Sequence, residues 1–295
     1  MMTSSATRVC GLIGDPVEHS LSPAIQNAAF KHLALDYVYV VFTVKREGLA
    51  HAIHGVRSLG FRGLNVTMPH KIDVIRYLDV LDETAKNVGS VNTILNKDRK
   101  LIGYTTDGVG ALNALTHSGF DSRGKKIVVL GAGGASRSVT LSLGKEADEL
   151  VILNRTGEKA ENLVKDLSSL LGRDSNLRAG ELNGRNLRKE LEAADLLVNA
   201  TSVGMRPKEA ETPVSKSLLR SDLTVFDLVY EPLETRLLRE ARQIGARTVD
   251  GLSMLVHQGA ASFEIWTAKK GPIGVMTKAA MEELGRRRTH IEEGS

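Results

Sequence analysis

The segment that most constrains this chain is Lys126-Ile127-Val128-Val129-Leu130 running directly into Gly131-Ala132-Gly133-Gly134-Ala135-Ser136. A short apolar run, a glycine-rich turn and a following helical pattern form the context that a dinucleotide fingerprint requires. Gly131 permits the tight turn and Gly133 lets the backbone approach a pyrophosphate. Small Ser136 stands where a third glycine or alanine allows close helix packing. Amides left free at the start of the helix then meet the phosphates. The turn therefore implies a nicotinamide dinucleotide used in an oxidoreductase reaction. No Gly-x-x-x-x-Gly-Lys-Ser/Thr loop occurs, which argues against a nucleoside triphosphatase.

The next apolar run, Glu149 to Asn154, ends at Asn154-Arg155-Thr156, with Arg155 24 residues beyond Gly131. At this place an NAD-binding domain usually carries an acidic residue on the ribose hydroxyls. A basic residue there suits a 2′-phosphate, which a carboxylate would repel. Arg155 and Thr156, with Lys159 one turn on, thus favour NADP over NAD.

Around this turn the second half of the chain alternates strands with helices. Short apolar runs occur at Lys126 to Leu130, Glu149 to Asn154, Asp195 to Ala200, Thr224 to Val229 and Arg247 to Asp250, mostly spaced widely enough for crossover helices. Runs apolar on both faces belong to a parallel, doubly wound sheet. The first half is also mixed, with runs at Val9 to Ile13, Tyr37 to Val44, Gly63 to Met68, Val91 to Leu95 and Leu101 to Tyr104. Asn96 to Arg99 joins the last two as a short polar turn and predicts a hairpin. Helical patterns begin at Pro23 and near Arg46, bridge the halves from Gly108 to Ser118, and return from Ser253 to about Lys269 and from Val275 to Arg288. The expected fold class is α/β, with a mixed-sheet domain followed by a Rossmann-type domain.

Composition narrows the partners. A net charge of +4, spread along the chain, fits a small anionic substrate better than DNA, and only 4% aromatic residues leave no stacking surface for single strands. The basic run Arg286 to Arg288 closes the last helical pattern, where cations favour the helix end and face water. One cysteine, Cys10, excludes an intrachain disulfide or a cysteine metal cluster. With no signal pattern and no apolar stretch near the 18 or so residues that span a bilayer, a cytoplasmic protein is expected.

Polar clusters in the first half sit at the ends of apolar runs: residues 14–23, 65–71, 91–93 and 106–108. Ends of strands in α/β sheets are where ligands bind, and hydroxyls, amides, one lysine and one carboxylate suit a small polyhydroxylated acid. Ser20 and Ser22 also have a plainer role open to them, capping the helix that starts near Pro23. His19 beside Ser20 lacks a Gly-x-Ser-x-Gly elbow, so hydrolysis is disfavoured. His51, His54 and His70 lack a metal-binding pattern and read as solvated or core histidines.

In this order the clusters resemble the shikimate dehydrogenase family over nearly the whole chain. The resemblance includes the Gly-Ala-Gly-Gly-Ala turn, Asn154-Arg155-Thr156, the run from Asn199 to Met205, Tyr230-Glu231-Pro232 and the run from Gly251 to Gln258. It implies reversible NADPH-dependent reduction of 3-dehydroshikimate to shikimate in aromatic amino acid biosynthesis. Lys71 and Asp107 would be the catalytic pair. Ser20 and Ser22 would hold the substrate carboxylate with Tyr230 nearby, while Asn65, Thr67, Asn92 and Gln258 would line the rest of the pocket. The cofactor would meet Gly131, Ala132, Gly133, Gly134, Ala135, Asn154, Arg155, Thr156, Lys159, Thr201, Ser202, Val203, Gly251 and Met254. The family places the final helices on the substrate domain, giving residues 1–112 plus 252–295 for substrate and 113–251 for NADP, and a homodimer is compatible with this. Asp15 replaces a common asparagine, and Lys159 replaces a second arginine, which keeps charge but loses the planar fork. A relative acting on quinate as well, and a ligand sensor that has lost the chemistry, are the competing readings.

Overall fold

A computed structural model describes residues 4–172 and 176–293, with side chains through Arg287 in the last helix. Two compact units result, one built from residues up to Thr106 together with those from Val256 onward, the other from Asp107–Leu255.

The first unit contains strand β1 (Arg8–Gly14), helix α1 (Ser22–His32), β2 (Tyr37–Thr43), α2 (Leu49–Ser58), β3 (Gly63–Val66), β4 (Val80–Leu81), α3 (Glu83–Val88), β5 (Thr93–Lys97) and β6 (Lys100–Tyr104). Its sheet has the order β2-β1-β3-β5-β6-β4. Strands β1, β2 and β3 run parallel, and β5 runs antiparallel to both β3 and β6. As a consequence the ends of β1, β3 and β6 and the start of β5 share one edge of the sheet. The expected hairpin is present, with Lys97 opposite Lys100. Its two turn residues, Asp98 and Arg99, both have positive φ, 53° and 65°, the requirement of a two-residue turn that follows strand twist. The strand itself begins at Thr93, two residues after the start of the apolar run at Val91.

The second unit contains α4 (Asp107–His117), β7 (Lys126–Leu130), α5 (Gly134–Leu143), β8 (Glu149–Asn154), α6 (Gly157–Leu171), β9 (Leu177–Glu181), α7 (Gly184–Leu191), β10 (Leu196–Asn199), β11 (Thr224–Asp227), α8 (Arg236–Gln243) and β12 (Arg247–Val249). Its sheet is parallel throughout, in the order β12-β11-β10-β7-β8-β9. Counted within the unit this is the doubly wound order 3-2-1-4-5-6, reversing between β7 and β10. Val128, Leu197, Val225 and Leu238 lie in its core. Strand β9 was not anticipated, because Leu177-Arg178-Ala179-Gly180-Glu181 is an edge strand, half-buried or exposed at every position, without the apolar run that marks the central strands.

Helix α9 (Gly251–Thr267) carries the chain from the second unit back to the first, where it is followed by α10 (Ile273–Glu293). In the first unit, Trp266 of α9 is fully buried and donates from Nε1 to the Ile94 carbonyl at 2.9 Å. A β-carbon at Gly63 would lie 2.0 Å from that same nitrogen, so the close approach of indole to β3 requires glycine. The last helix corrects one expectation. It continues to Glu293, so Arg286 to Arg288 does not close it. Arg286 is exposed, but Arg287 turns inward and donates to the carbonyls of His19 and Ser20 at 2.8 and 3.1 Å. The Arg288 side chain lies outside the described residues.

At the other end of the second sheet, away from the glycine turn, Arg178 bridges Glu149 and Glu190, and Lys126 joins Glu190 at 3.1 Å. Glu190 is buried, and the Arg178 hydrogen bonds hold its carboxyl down to about 2. A depressed carboxylate contributes stability that is present above its unfolded value near 4.3 and is lost as pH falls toward the folded value. The urea midpoint is therefore expected to drop between pH 5 and about pH 2. Glu190→Gln should flatten that dependence, and an unchanged slope would remove Glu190 from it.

Candidate active site

Within the first unit the sheet topology gathers the polar clusters. The loop after β1 and the loop after β3 are tied directly: Thr67 donates its amide to the Ile13 carbonyl at 2.9 Å, and Asp15 donates to the Met68 carbonyl at 3.0 Å. Ser20 and Ser22 lie on the first loop and at the start of α1, and Thr67 and Lys71 lie on the second, all four half-buried. Ser20 satisfies the first amide of α1, part of the capping role open to the serines. Leu21 occupies the cap position without a side-chain bond, and the Ser20 hydroxyl accepts from the Ser22 amide at 3.2 Å. Arg287 holds the same loop through the carbonyls of His19 and Ser20.

The lysine loop is anchored by its neighbour. His70 is fully buried, its amide donates to the Thr67 carbonyl at 2.9 Å, and its Nε2 meets the Val44 carbonyl at 2.6 Å. It is a core histidine, while His51 and His54 are exposed. The Lys71 carbonyl accepts from the Val91 amide at 2.8 Å, placing the lysine backbone beside the segment that carries Asn92.

Behind these groups runs a buried polar network that sequence reasoning only partly anticipated. Asn65 receives the Tyr39 phenol on Oδ1 at 2.8 Å, and its Nδ2 faces Asn92 O, Thr93 Oγ1 and Ser262 Oγ at 3.0–3.1 Å. Asn92 donates to Thr106 Oγ1 at 2.9 Å and to Gln258 Oε1 at 3.1 Å, and Ser262 Oγ lies 2.8 Å from Thr93 Oγ1. Burial pushes the Tyr39 phenol well above its usual pKa, with a hydrogen bond involving Ser22 pulling the other way. Tyr39, Thr93, Thr106 and Ser262 are the members with no assigned role in the sequence reading. Their signal is a hydroxyl at an apolar position, which is legible only once burial is known.

Asp107 belongs to the second unit, as the buried first residue of α4. There the glycine turn has the geometry the fingerprint implies. Gly131 has φ of 107°, and a β-carbon on it would lie 2.9 Å from the Ala200 carbonyl oxygen. Nothing lies within 4 Å of a β-carbon built on Gly133, so the backbone there is open to a ligand. Ser136 closes the turn by donating its hydroxyl to the Gly131 carbonyl at 2.6 Å. On one side the Gly131 amide donates to Leu153 O at 2.8 Å, bringing Asn154, Arg155 and Thr156 alongside. On the other, the Ala200 amide donates to Leu130 O at 2.9 Å, bringing Thr201 to Val203. Arg155 and Thr156, just after β8, and Lys159, in the first turn of α6, are exposed. An open glycine cradle, an exposed guanidinium beside it and the strand-order reversal between β7 and β10 fit a dinucleotide with an extra phosphate. Tyr230 is half-buried after β11, and Gly251 and Met254 are buried in the first turn of α9.

Comparison with known proteins agrees with this arrangement. The shikimate dehydrogenase substrate binding domain matches residues 12–94, the shikimate / quinate 5-dehydrogenase family matches residues 114–230, and the shikimate 5'-dehydrogenase C-terminal domain matches residues 251–281. A curated shikimate dehydrogenase (NADP(+)) from Methanopyrus kandleri is 51% identical over 281 residues, 94% of this chain and 96% of that protein. The chain belongs to the shikimate dehydrogenase family. A crystal structure of a shikimate dehydrogenase in complex with NADP+ superimposes with a TM-score of 0.89 at 45% identity, covering 96% of this chain and 98% of the other. A family member from Listeria monocytogenes, solved with shikimate and NAD, gives a TM-score of 0.88 at 40% identity over 94% of this chain and 98% of its own. Among the described residues, no helix of this shikimate dehydrogenase family member is long and apolar enough to cross a membrane.

Proposed function

We propose that this protein is an NADP-dependent shikimate dehydrogenase that interconverts 3-dehydroshikimate and shikimate in aromatic amino acid biosynthesis, in the cytoplasm. The observation that carries this reading is the convergence of Ser20, Ser22, Thr67, Lys71 and Asn92 at one edge of one sheet in a chain of this family. The first unit, including the final helices, takes the substrate, and the second takes the cofactor. Bound NADPH supplies the hydride.

The residues of the chain supply the rest. Ser20 and Ser22 hold the substrate carboxylate with Tyr230, and Thr67, Asn92 and Gln258 bind its ring hydroxyls. Asn65 is buried with its amide spent on internal partners, so it forms the pocket wall and sets its neighbours. Hydride delivery to a ketone puts charge on the carbonyl oxygen, which needs a proton and a nearby cation. The Lys71 ammonium can supply both, with Asp107 orienting it and sharing the substrate hydroxyl. Gly131 to Ala135 cradle the pyrophosphate, and Arg155, Thr156 and Lys159 hold the 2′-phosphate.

The test is an absorbance assay of the purified protein with shikimate or quinate, each with NADP+ or NAD+. Turnover is expected with shikimate and NADP+ above all, and no turnover with shikimate would sink the reading. Comparable rates with quinate would instead favour the broader specificity. A homodimer is the assembly to test by light scattering on the same sample.

A further inference from the structure

Asp227, the last residue of β11, is a fully buried carboxylate to which the reaction above gives no part. Its Oδ1 accepts from Asn199 Nδ2 at 2.9 Å and from the Val229 amide at 3.1 Å, and its Oδ2 accepts the Thr235 hydroxyl at 2.7 Å. Asn199 is itself fully buried at the end of β10. Its Oδ1 receives the amide and hydroxyl of Thr201 at 3.1 and 2.6 Å, and its Nδ2 reaches the Val203 carbonyl at 3.2 Å. Two loops at the ligand-binding edge of the second sheet are thus fastened to one carboxylate: residues 200–203 through Asn199, and residues 228–235 through Val229 and Thr235.

The strand order gives this hub its meaning. In a doubly wound domain of two mononucleotide halves, the half with the glycine turn and Arg155 receives the adenosine end. The half formed by β10, β11 and β12 is left to receive the nicotinamide. We propose that Asp227 is a positioning residue for hydride transfer, setting the nicotinamide-side loop at Thr201 to Val203 and the segment bearing Tyr230 relative to one another. The proposal rests on the function assigned above.

Burial dominates the carboxyl's environment and raises its pKa to about 6, against the pull of the hydrogen bonds from Thr235, Val229 and Asn199. Burying a carboxylate costs folding free energy that its hydrogen bonds must offset, so a neutral amide of the same shape need not destabilise the fold. An asparagine at this position keeps one carbonyl oxygen for Asn199 and Val229. It turns an N–H toward Thr235, whose hydroxyl already accepts from the Leu238 amide and then has no acceptor for its own hydrogen.

The experiment compares Asp227→Asn with the parent protein. The thermal midpoint is expected to stay level or rise, and NADPH affinity to stay within about threefold because the adenosine half is untouched. Meanwhile kcat for shikimate oxidation should fall about 10–100-fold, as misplaced reacting groups do. Hydrogen exchange at the amides of Thr201, Val203 and Val229, measured without substrate, should quicken by about tenfold, because the neutral amide oxygen that replaces the carboxylate holds Asn199 and Val229 more weakly. A kcat within about twofold of the parent, unchanged exchange, or activity, NADPH affinity and thermal midpoint all falling together would overturn the proposal. Should Asp227→Asn not fold, Thr235→Val removes the Oδ2 partner and is held to the same split, with a smaller kcat loss of about 3–10-fold. Inactive parent protein would sink the assigned function alone, because the exchange measurement still decides the role of Asp227.

Discussion

Replacing Lys71 with alanine is expected to lower kcat for shikimate oxidation by about 10²–10⁴-fold while KM for shikimate changes little, the range a positioned acid/base contributes. The reason lies in the charge that develops on the reacting oxygen. In the reductive direction that oxygen gains a pair of electrons, and without an ammonium it must wait for a proton from water. The carboxylate and hydroxyls of the substrate still find Ser20, Ser22, Thr67 and Asn92, so binding persists. Folding should persist as well, because Lys71 is only half-buried and the loop's anchors are the buried His70 side chain and the bond from Val91 to the lysine carbonyl. Initial rates at saturating NADP+, with a thermal melt as control, check the result. A large rise in KM at normal kcat would reduce Lys71 to a binding role.

Replacing Arg155 with alanine is expected to raise KM for NADP+ by about 10–100-fold while leaving KM for NAD+ within about threefold, the loss of one or two charge-assisted bonds. Arg155 is exposed at the end of β8 beside the open turn, so no folding contact confounds the comparison. Lys159 lies one turn further on and retains its charge, but an ammonium cannot reproduce the forked contact of a guanidinium. Arg155→Lys should therefore recover only part of the affinity. Exposure also makes the interaction sensitive to ionic strength, so NADP+ affinity should fall with added salt more steeply than NAD+ affinity. Equal losses for the two cofactors would remove the 2′-phosphate from Arg155.

The second unit was more legible in the sequence than the first. Central strands such as β7, β10 and β11 are buried on both faces and leave uninterrupted apolar runs. The edge strand β9 is hidden because it is half-buried or exposed at every position and leaves no apolar run. Local contacts are legible where the partner is near in sequence and hidden where it is distant. Ser20, expected to cap the helix near Pro23, accepts from the first amide of α1 although Leu21 holds the cap position itself. The basic run in α10 looked like a solvated helix end until Arg287 was found on the carbonyls of the serine loop, 267 residues away in sequence.

What the sequence alone determined is whatever rests on neighbouring residues: the glycine turn and its helix, the basic residue after the second strand, and the order of the polar clusters. These are read from spacing because a turn, a helix start and a strand end are local objects. Tertiary structure decided which of those clusters meet. The antiparallel turn of β5 against β3 brings Asn92 and Thr93 to Asn65, and α9 returns Gln258 and Ser262 to the same network. It likewise decided that Asp227 and Asn199, each at the end of its own strand, share a hydrogen bond. Buried polar groups must find partners wherever the packing brings them, and that pairing depends on the whole sheet and not on any stretch of the chain.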